Sequence, residues 1–278
     1  MTSNWIPVEI IDDSEDEEFD INKGVTDKEK IAVPFIKKCK PNVLKKSIVT
    51  LNKFYNESLE IIEIGVDEAG RGPMFGRVYA AAVVLPKDDI GFDHSIPKDS
   101  KKFHSKQKIE EAYDYIKKNA LAWYVAYEDE KTIDEINILQ ATQSAMHKAI
   151  TEVKKQLIQK GLLIETNVKN DLFLLIDGNY FKPLTYVDKN THKFETLKFQ
   201  TVEGGDNKYT SIAAASILAK VERDKYIDEL CVQYPELIEK YGIDSNKGYG
   251  SKIHMDGIKK YGITPWHRRS FGICKQFA

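Results

Sequence analysis

Cysteine is scarce in this chain: Cys39, Cys231 and Cys274 are the only three in 278 residues, and they stand far apart. That spacing carries neither a paired-cysteine metal site nor a disulfide framework, and it fits a reducing compartment. An excess of charge is also missing, with 41 Lys+Arg against 43 Asp+Glu and a formal net charge of -2. No global field draws in phosphates, so any nucleic-acid contact has to come from local clusters. Apolar runs such as Val78 to Leu85 and Leu172 to Ile176 fall far short of the ~20 residues a membrane helix requires. The opening MTSNWIPVEIIDD lacks a basic segment followed by an apolar one. No secretory signal is therefore expected, and the protein is expected inside the cell, in the cytoplasm or the nucleus. What is present, 42% hydrophobic and 30% charged residues, suits a globular chain with a full core.

Charge is segregated near the start. Residues 1 to 22 hold eight acids and no Lys or Arg, and residues 23 to 53 hold nine Lys against Asp27 and Glu29. Such stretches rarely fold alone, so residues 1–58 read as a charged, mostly flexible extension. Within it Ile6, Val8, Ile10 and Ile11, followed by acids and Ser14, could add as a strand to an unknown protein partner, in the manner of a ubiquitin-like-modifier interaction motif. A solvated tail is the plainer reading.

From Glu60 the texture is that of an α/β domain, expected over residues 59–225 with a helical substrate-binding portion over 226–278. Ile62, Ile64 and Val66 alternate with Glu63 and Gly65, a half-buried strand that runs into Asp67. Val78 to Leu85 is continuous and apolar, as in a strand covered on both faces, and is expected beside the first. Leu172 to Ile176 forms a third strand that stops at Asp177, Gly178 and Asn179. Helical spacing runs over Ser105 to Asn119 and Asp134 to Lys155. Another helix opens at Ser211 with Ala213, Ala214, Ala215 and Ser216, and Pro235 is expected to break it.

Two of these strands end in an aspartate. Adjacent Asp67 and Glu68 raise each other's pKa unless a positive charge intervenes. With Asp177 and Asp206 they form a possible all-oxygen set, which suits Mg²⁺ or Mn²⁺ better than zinc. On the pattern alone each acid is equally an ordinary turn or cap residue. In AGRG, Gly70 and Gly72 remove side chains on either side of Arg71, so backbone groups can approach a ligand while Arg71 offers a bidentate fork to phosphate.

The segments GVDEAGRGPMFG, DSKKF, INILQATQSAM, LLIDGN, GGDNKYTSIAAASILAKVERD and GYGSKIHMDGIKKYGITPWHRRSFG occur in one order and cover roughly residues 60 to 273. Together they resemble the motifs of ribonuclease HII. The resemblance implies an RNase H-like mixed β-sheet flanked by helices. It implies an endonuclease that cleaves the RNA strand of RNA·DNA hybrids and nicks DNA 5′ of embedded ribonucleotides, leaving 3′-OH and 5′-phosphate by a two-metal-ion displacement. Its metal carboxylates fall on Asp67, Glu68, Asp177 and Asp206. Its glycine-arginine-glycine loop, which reads the ribose 2′-OH, falls on Gly70, Arg71 and Gly72, and its 2′-OH-sensing tyrosine on Tyr249.

Ser100, Lys101 and Lys102 are expected to contact backbone phosphates. Trp266, His267, Arg268 and Arg269 are expected to play a structural part, as are His254 and Tyr261, and Lys220, Arg223 and Asp224 are expected to pair as ions on one helix. Phe181 to Glu203 is a long insertion between Asp177 and Asp206 that a hairpin would accommodate. Arg77 stands where a small residue or proline is usual. The wording matches the single-subunit enzymes better than the catalytic chain of a three-subunit complex, so a monomer is expected. Two other readings stay open: a type I-like enzyme that requires a ribonucleotide run, and a hybrid-binding module without turnover.

Overall fold

Strand β1 (Ile62–Ala69) alternates as its sequence predicts, with Ile64 and Val66 on one face of the sheet and Glu63, Gly65 and Asp67 on the other. In this computed structural model, residues 50–87, 91–98, 100, 103, 105–188 and 191–278 are described. The expectations for residues 1–49, Lys101 and Lys102 lie outside them. Strand β2 (Val78–Val84) is buried along its whole length and pairs antiparallel with β1, aligning Asp67 with Ala81. Strand β3 (Ala122–Glu128) extends the sheet on that side, while β4 (Leu172–Asp177) and β7 (Lys198–Val202) run parallel to β1 on the other. The order β3-β2-β1-β4-β7 makes a mixed five-stranded sheet. Strands β5 (Thr185–Val187) and β6 (Phe194–Thr196) form a separate hairpin inside the 181–203 insertion.

Helices cover both faces. Helix α1 (Lys106–Asn119) starts at Ser105, whose side chain accepts from the Lys108 N–H, and buries Ile109, Ala112, Tyr113 and Ile116. Helix α2 (Glu130–Gln159) lays Ala145, Met146, Ala149, Ile150 and Val153 against Ile64, Val66 and the even-numbered residues of β2. A kink at Asn137, with φ of 67°, divides α2, and the Asn137 side chain caps the N–H groups of Leu139 and Gln140. The four-residue α3 (Val168–Asp171) leads into β4. Helix α4 (Thr210–Gln233) lies on the opposite face with α1, and its small residues allow an unusually close approach. A Cβ on Gly65 would stand 2.3 Å from the Ser211 backbone, so glycine is required where the central strand meets this helix.

Pro235 ends α4 as expected and caps α5 (Glu236–Tyr241), after which come α6 (Ile243–Asn246) and α7 (Lys252–Tyr261). This C-terminal portion has its own apolar cluster around Phe75, Ile227, Leu237, Tyr241, Ile243 and Ile258. The expected boundary at residues 225 and 226 falls inside α4, which is continuous from Thr210 to Gln233 and contributes side chains to the clusters on both sides. The expected extension also reaches too far. Asn52 already pairs with Tyr209, and Tyr55 stacks on Phe173 at 5.5 Å between ring centroids.

Candidate active site at the end of the central strands

Strands β1 and β4 are parallel neighbours, so their ends bring Asp67 and Asp177 to the same edge of the sheet. The turn after β7 delivers Asp206, in a single 3₁₀ turn (Gly205–Asn207) just before α4. Asp67, Glu68, Asp177 and Asp206 line one cleft of about 410 Å³, with Gly70, Ser100, Ser216, Lys220, Asn246 and Tyr249 on its walls. The topology thus gathers acids that lie up to 139 positions apart, from 67 to 206.

Burial and repulsion set the electrostatics. Asp67 is held well above the usual carboxylate range, first by burial and then by the charges of Glu68 and Asp177, with hydrogen bonds from Ser216 and from the Glu68 N–H working the other way. Glu68 is also raised by burial, partly offset by Arg71, which donates to its Oε1 at 3.1 Å. The Asp177 Oδ1 accepts from the Gly205 N–H at 2.6 Å, and Asp206 accepts from Asn207 at 3.0 Å. With Glu68 turned to Arg71 and Asp177 to Gly205, no three acidic, histidine or cysteine side chains among the described residues stand close enough to share an ion. The donor set itself is all oxygen and mutually repulsive, which fits a hard divalent cation.

Beside the acids lies the Gly70 loop. Gly70 has φ of 91°, and a Cβ there would meet the Arg223 side chain at 2.4 Å. Gly72 abuts the Tyr249 ring, since a Cβ would lie 3.4 Å from its Cε1. Tyr249 is half exposed and follows Gly248, whose φ of 84° seats that turn directly on Phe75. Arg71 engages Glu68 and is also largely exposed. Ser100, expected at phosphate, is buried in the cleft wall with its Oγ 3.2 Å from the Ser216 Oγ.

Sequence reasoning understated two arginines. Arg268 is fully buried, and its guanidinium donates to the carbonyls of Gly70, Arg71, Pro73, Gly76 and Arg77 at 2.6 to 3.1 Å. One side chain from the end of the chain therefore holds the entire glycine loop. Arg223, expected to pair as an ion within α4, instead spans two loops by donating to Phe75 O at 3.4 Å and Lys247 O at 2.7 Å. Lys220 does pair with Asp224, at 2.6 Å. Neither arginine's acceptors could be read from spacing, because all are carbonyls brought near by the tertiary fold, and the sequence neighbours, Glu222 and Asp224 for one and His267 and Arg269 for the other, gave no signal of them. Arg77 lies between the Tyr127 and Tyr226 rings at 4.1 and 4.2 Å, so its bulk is absorbed by stacking.

A family model described as Ribonuclease HII matches residues 64–274. The chain is 42% identical to Ribonuclease HII of Phocaeicola vulgatus over 214 residues, covering 77% of this chain and 90% of that one. It is 43% identical to Ribonuclease HII of Endomicrobium trichonymphae over 222 residues, covering 78% of this chain and 88% of that one. The ribonuclease H2 structure from Pyrococcus horikoshii has a similar fold, with a TM-score of 0.55 at 24% identity over 78% of this chain and 97% of that one. The helix-flanked mixed sheet is thus of the RNase H type, and the chain belongs to the ribonuclease HII family.

Proposed function

We propose that this chain hydrolyses the RNA strand of RNA·DNA hybrids and nicks duplex DNA on the 5′ side of an embedded ribonucleotide, leaving 3′-OH and 5′-phosphate. The observation that carries this reading is one cleft lined by Asp67, Glu68, Asp177 and Asp206 on one side and by Gly70 and Tyr249 on the other. Asp67, Glu68, Asp177 and Asp206 would hold the Mg²⁺ or Mn²⁺ ions, two in number on this reading. When bound, such a pair supplies an activated water and neutralises the leaving 3′ oxygen of an in-line displacement. The protein's own work is then placement. Gly70 and Gly72 let the loop backbone approach the sugar, and Tyr249 offers its hydroxyl to the ribose 2′-OH, the atom that distinguishes RNA from DNA. A pocket built around that bond rejects deoxyribose because its polar groups would be left unpaired.

A hybrid-binding module without turnover gains nothing from concentrated negative charge facing phosphates, which favours the enzyme. The family's single-subunit members support action as a monomer, and a ribonucleotide-directed activity places the work wherever the cell keeps its DNA. The test is a labelled duplex carrying one ribonucleotide, incubated with Mg²⁺ or Mn²⁺. A single nick 5′ of the ribonucleotide is expected; cleavage confined to duplexes with a ribonucleotide run would favour a type I-like enzyme instead.

A further inference from the structure

The family match begins at residue 64, yet the chain is built into the site earlier. Asn52 donates its N–H to Lys208 O at 2.8 Å and accepts from the Thr210 N–H at 3.0 Å. Thr210 also donates its hydroxyl to Lys53 O at 2.8 Å. These bonds grip residues 208 and 210, immediately after the turn that carries Asp206. The strap is anchored at its other end on Glu63, a buried carboxylate on β1 four residues before Asp67 and on the same face. Glu63 Oε2 accepts from the N–H groups of Tyr55 at 2.8 Å and Asn56 at 3.1 Å, and its Oε1 accepts from Ser211 on α4 at 3.1 Å. Lys87 closes the end by donating to Asn56 O and Ser58 O, each at 2.5 Å. Tyr55 lies between Phe173 of β4 and Tyr209.

We propose that residues 52–56 are a positioning strap for Asp206, fixing the backbone that presents this carboxylate to the metal site. The inference rests on the metal reading given above for the cleft. Gly204 is in the left-handed region at φ of 61°, a Cβ on Gly205 would meet Ile212 at 2.4 Å, and the turn closes on Gly204 O and Gly205 O through the N–H groups of Asn207, Lys208 and Tyr209 at 2.8 to 3.1 Å. The turn also gives the Gly205 N–H to Asp177 and the Asn207 side chain to Asp206, and the strap adds bonds at 208 and 210, where the turn passes into α4. A ligand carboxylate held by such outer partners binds its ion more tightly because less freedom is lost on binding.

The test uses the full chain and Mn²⁺ alone, titrated calorimetrically without nucleic acid. Asn52→Pro, which removes the N–H given to Lys208, is expected to weaken Mn²⁺ binding about tenfold. Asn52→Ala, which keeps that N–H, is expected to restore affinity to within about twofold of the parent. Thr210→Val, which removes the hydroxyl given to Lys53 at 2.8 Å and lying 3.0 Å from His94 Nδ1, is expected to lose about threefold and answers the question should the proline variant fail to fold. Asp206→Asn separates the two readings in the same titration. Parental Mn²⁺ affinity in Asp206→Asn would overturn the assignment of Asp206 to the metal site, and the strap's role with it. Weakened binding there, with parental affinity in Asn52→Pro or Thr210→Val folded by circular dichroism, would overturn the strap alone.

Discussion

Asp67 is buried beside two other acids, and the two consequences have opposite signs. Its pKa in the folded protein is raised, so the folded state prefers it protonated. The stability that this preference contributes is present below the ordinary value of 3.8 and is lost as pH rises through the raised value. At neutral pH, without a cation, the carboxylate is therefore a cost to the fold. Asp67→Asn is expected to lose at least ~100-fold in turnover, to keep hybrid binding, and to melt above the parent in chelator at pH 7. Turnover assays, filter binding and thermal melts check the three parts, and retained turnover would remove Asp67 from the reaction. Tyr249→Phe deletes one hydroxyl and leaves the ring against Gly72, so kcat/KM is expected to fall roughly fivefold to tenfold on single-ribonucleotide duplexes. A ribonucleotide run should suffer less, because cleavage can occur at several registers; equal loss on both substrates would contradict the assignment.

At the scale of elements, the glycine loop is shaped by its tether. Five of its carbonyls end on Arg268, the Met74 N–H reaches Gly248 O at 2.9 Å, and the Gly76 N–H reaches Trp266 O at 2.9 Å. Arg268→Lys places a three-donor ammonium where five acceptors converge and is expected to cost about 3 kcal/mol in urea unfolding. Where that variant remains folded, discrimination between ribonucleotide and deoxyribonucleotide should weaken more than cleavage of a full hybrid does. The periodicity of β1, β2 and β4 and the apolar faces of α1 and α2 follow from side chains spaced along one element, so they could be read directly. The Arg268 and Arg223 acceptors are main-chain oxygens, invisible to any residue pattern. The bonds of Asn52 and Lys53 to Lys208 and Thr210 were hidden for a related reason, since main-chain groups leave no mark in a residue pattern.

Across the whole molecule, the C-terminal portion is joined to the site through a histidine relay. The Thr264 N–H donates to His267 Nδ1 at 2.9 Å, His267 Nε2 lies 3.1 Å from His254 Nε2, and His254 Nδ1 lies 2.9 Å from Tyr249 O. These partners fix both rings as neutral: His254 gives its Nδ1 proton to Tyr249, and His267 gives its Nε2 proton to His254. Burial, then the neighbouring His254, pushes His267 from the usual 6.5 down to about 3, and burial lowers His254 as well. A depressed histidine contributes stability above pH 6.5 that is lost as pH falls towards the folded value. Stability to urea is therefore expected to decline from pH 6.5 towards about 3, with the surroundings of Tyr249 loosening in parallel by hydrogen exchange. A flat profile over that window would show the relay to be irrelevant to folding.

Sequence by itself determined strands β1, β2 and β4, the apolar helix faces and the family, and it offered four acids as candidates, because local periodicity and motif order are properties of the chain alone. It could not decide how those acids meet or what holds them. Their convergence depends on β1 and β4 lying parallel, and their support depends on backbone groups of distant segments. Such contacts are settled only when the folded chain closes a loop and every buried carbonyl and N–H must find a partner.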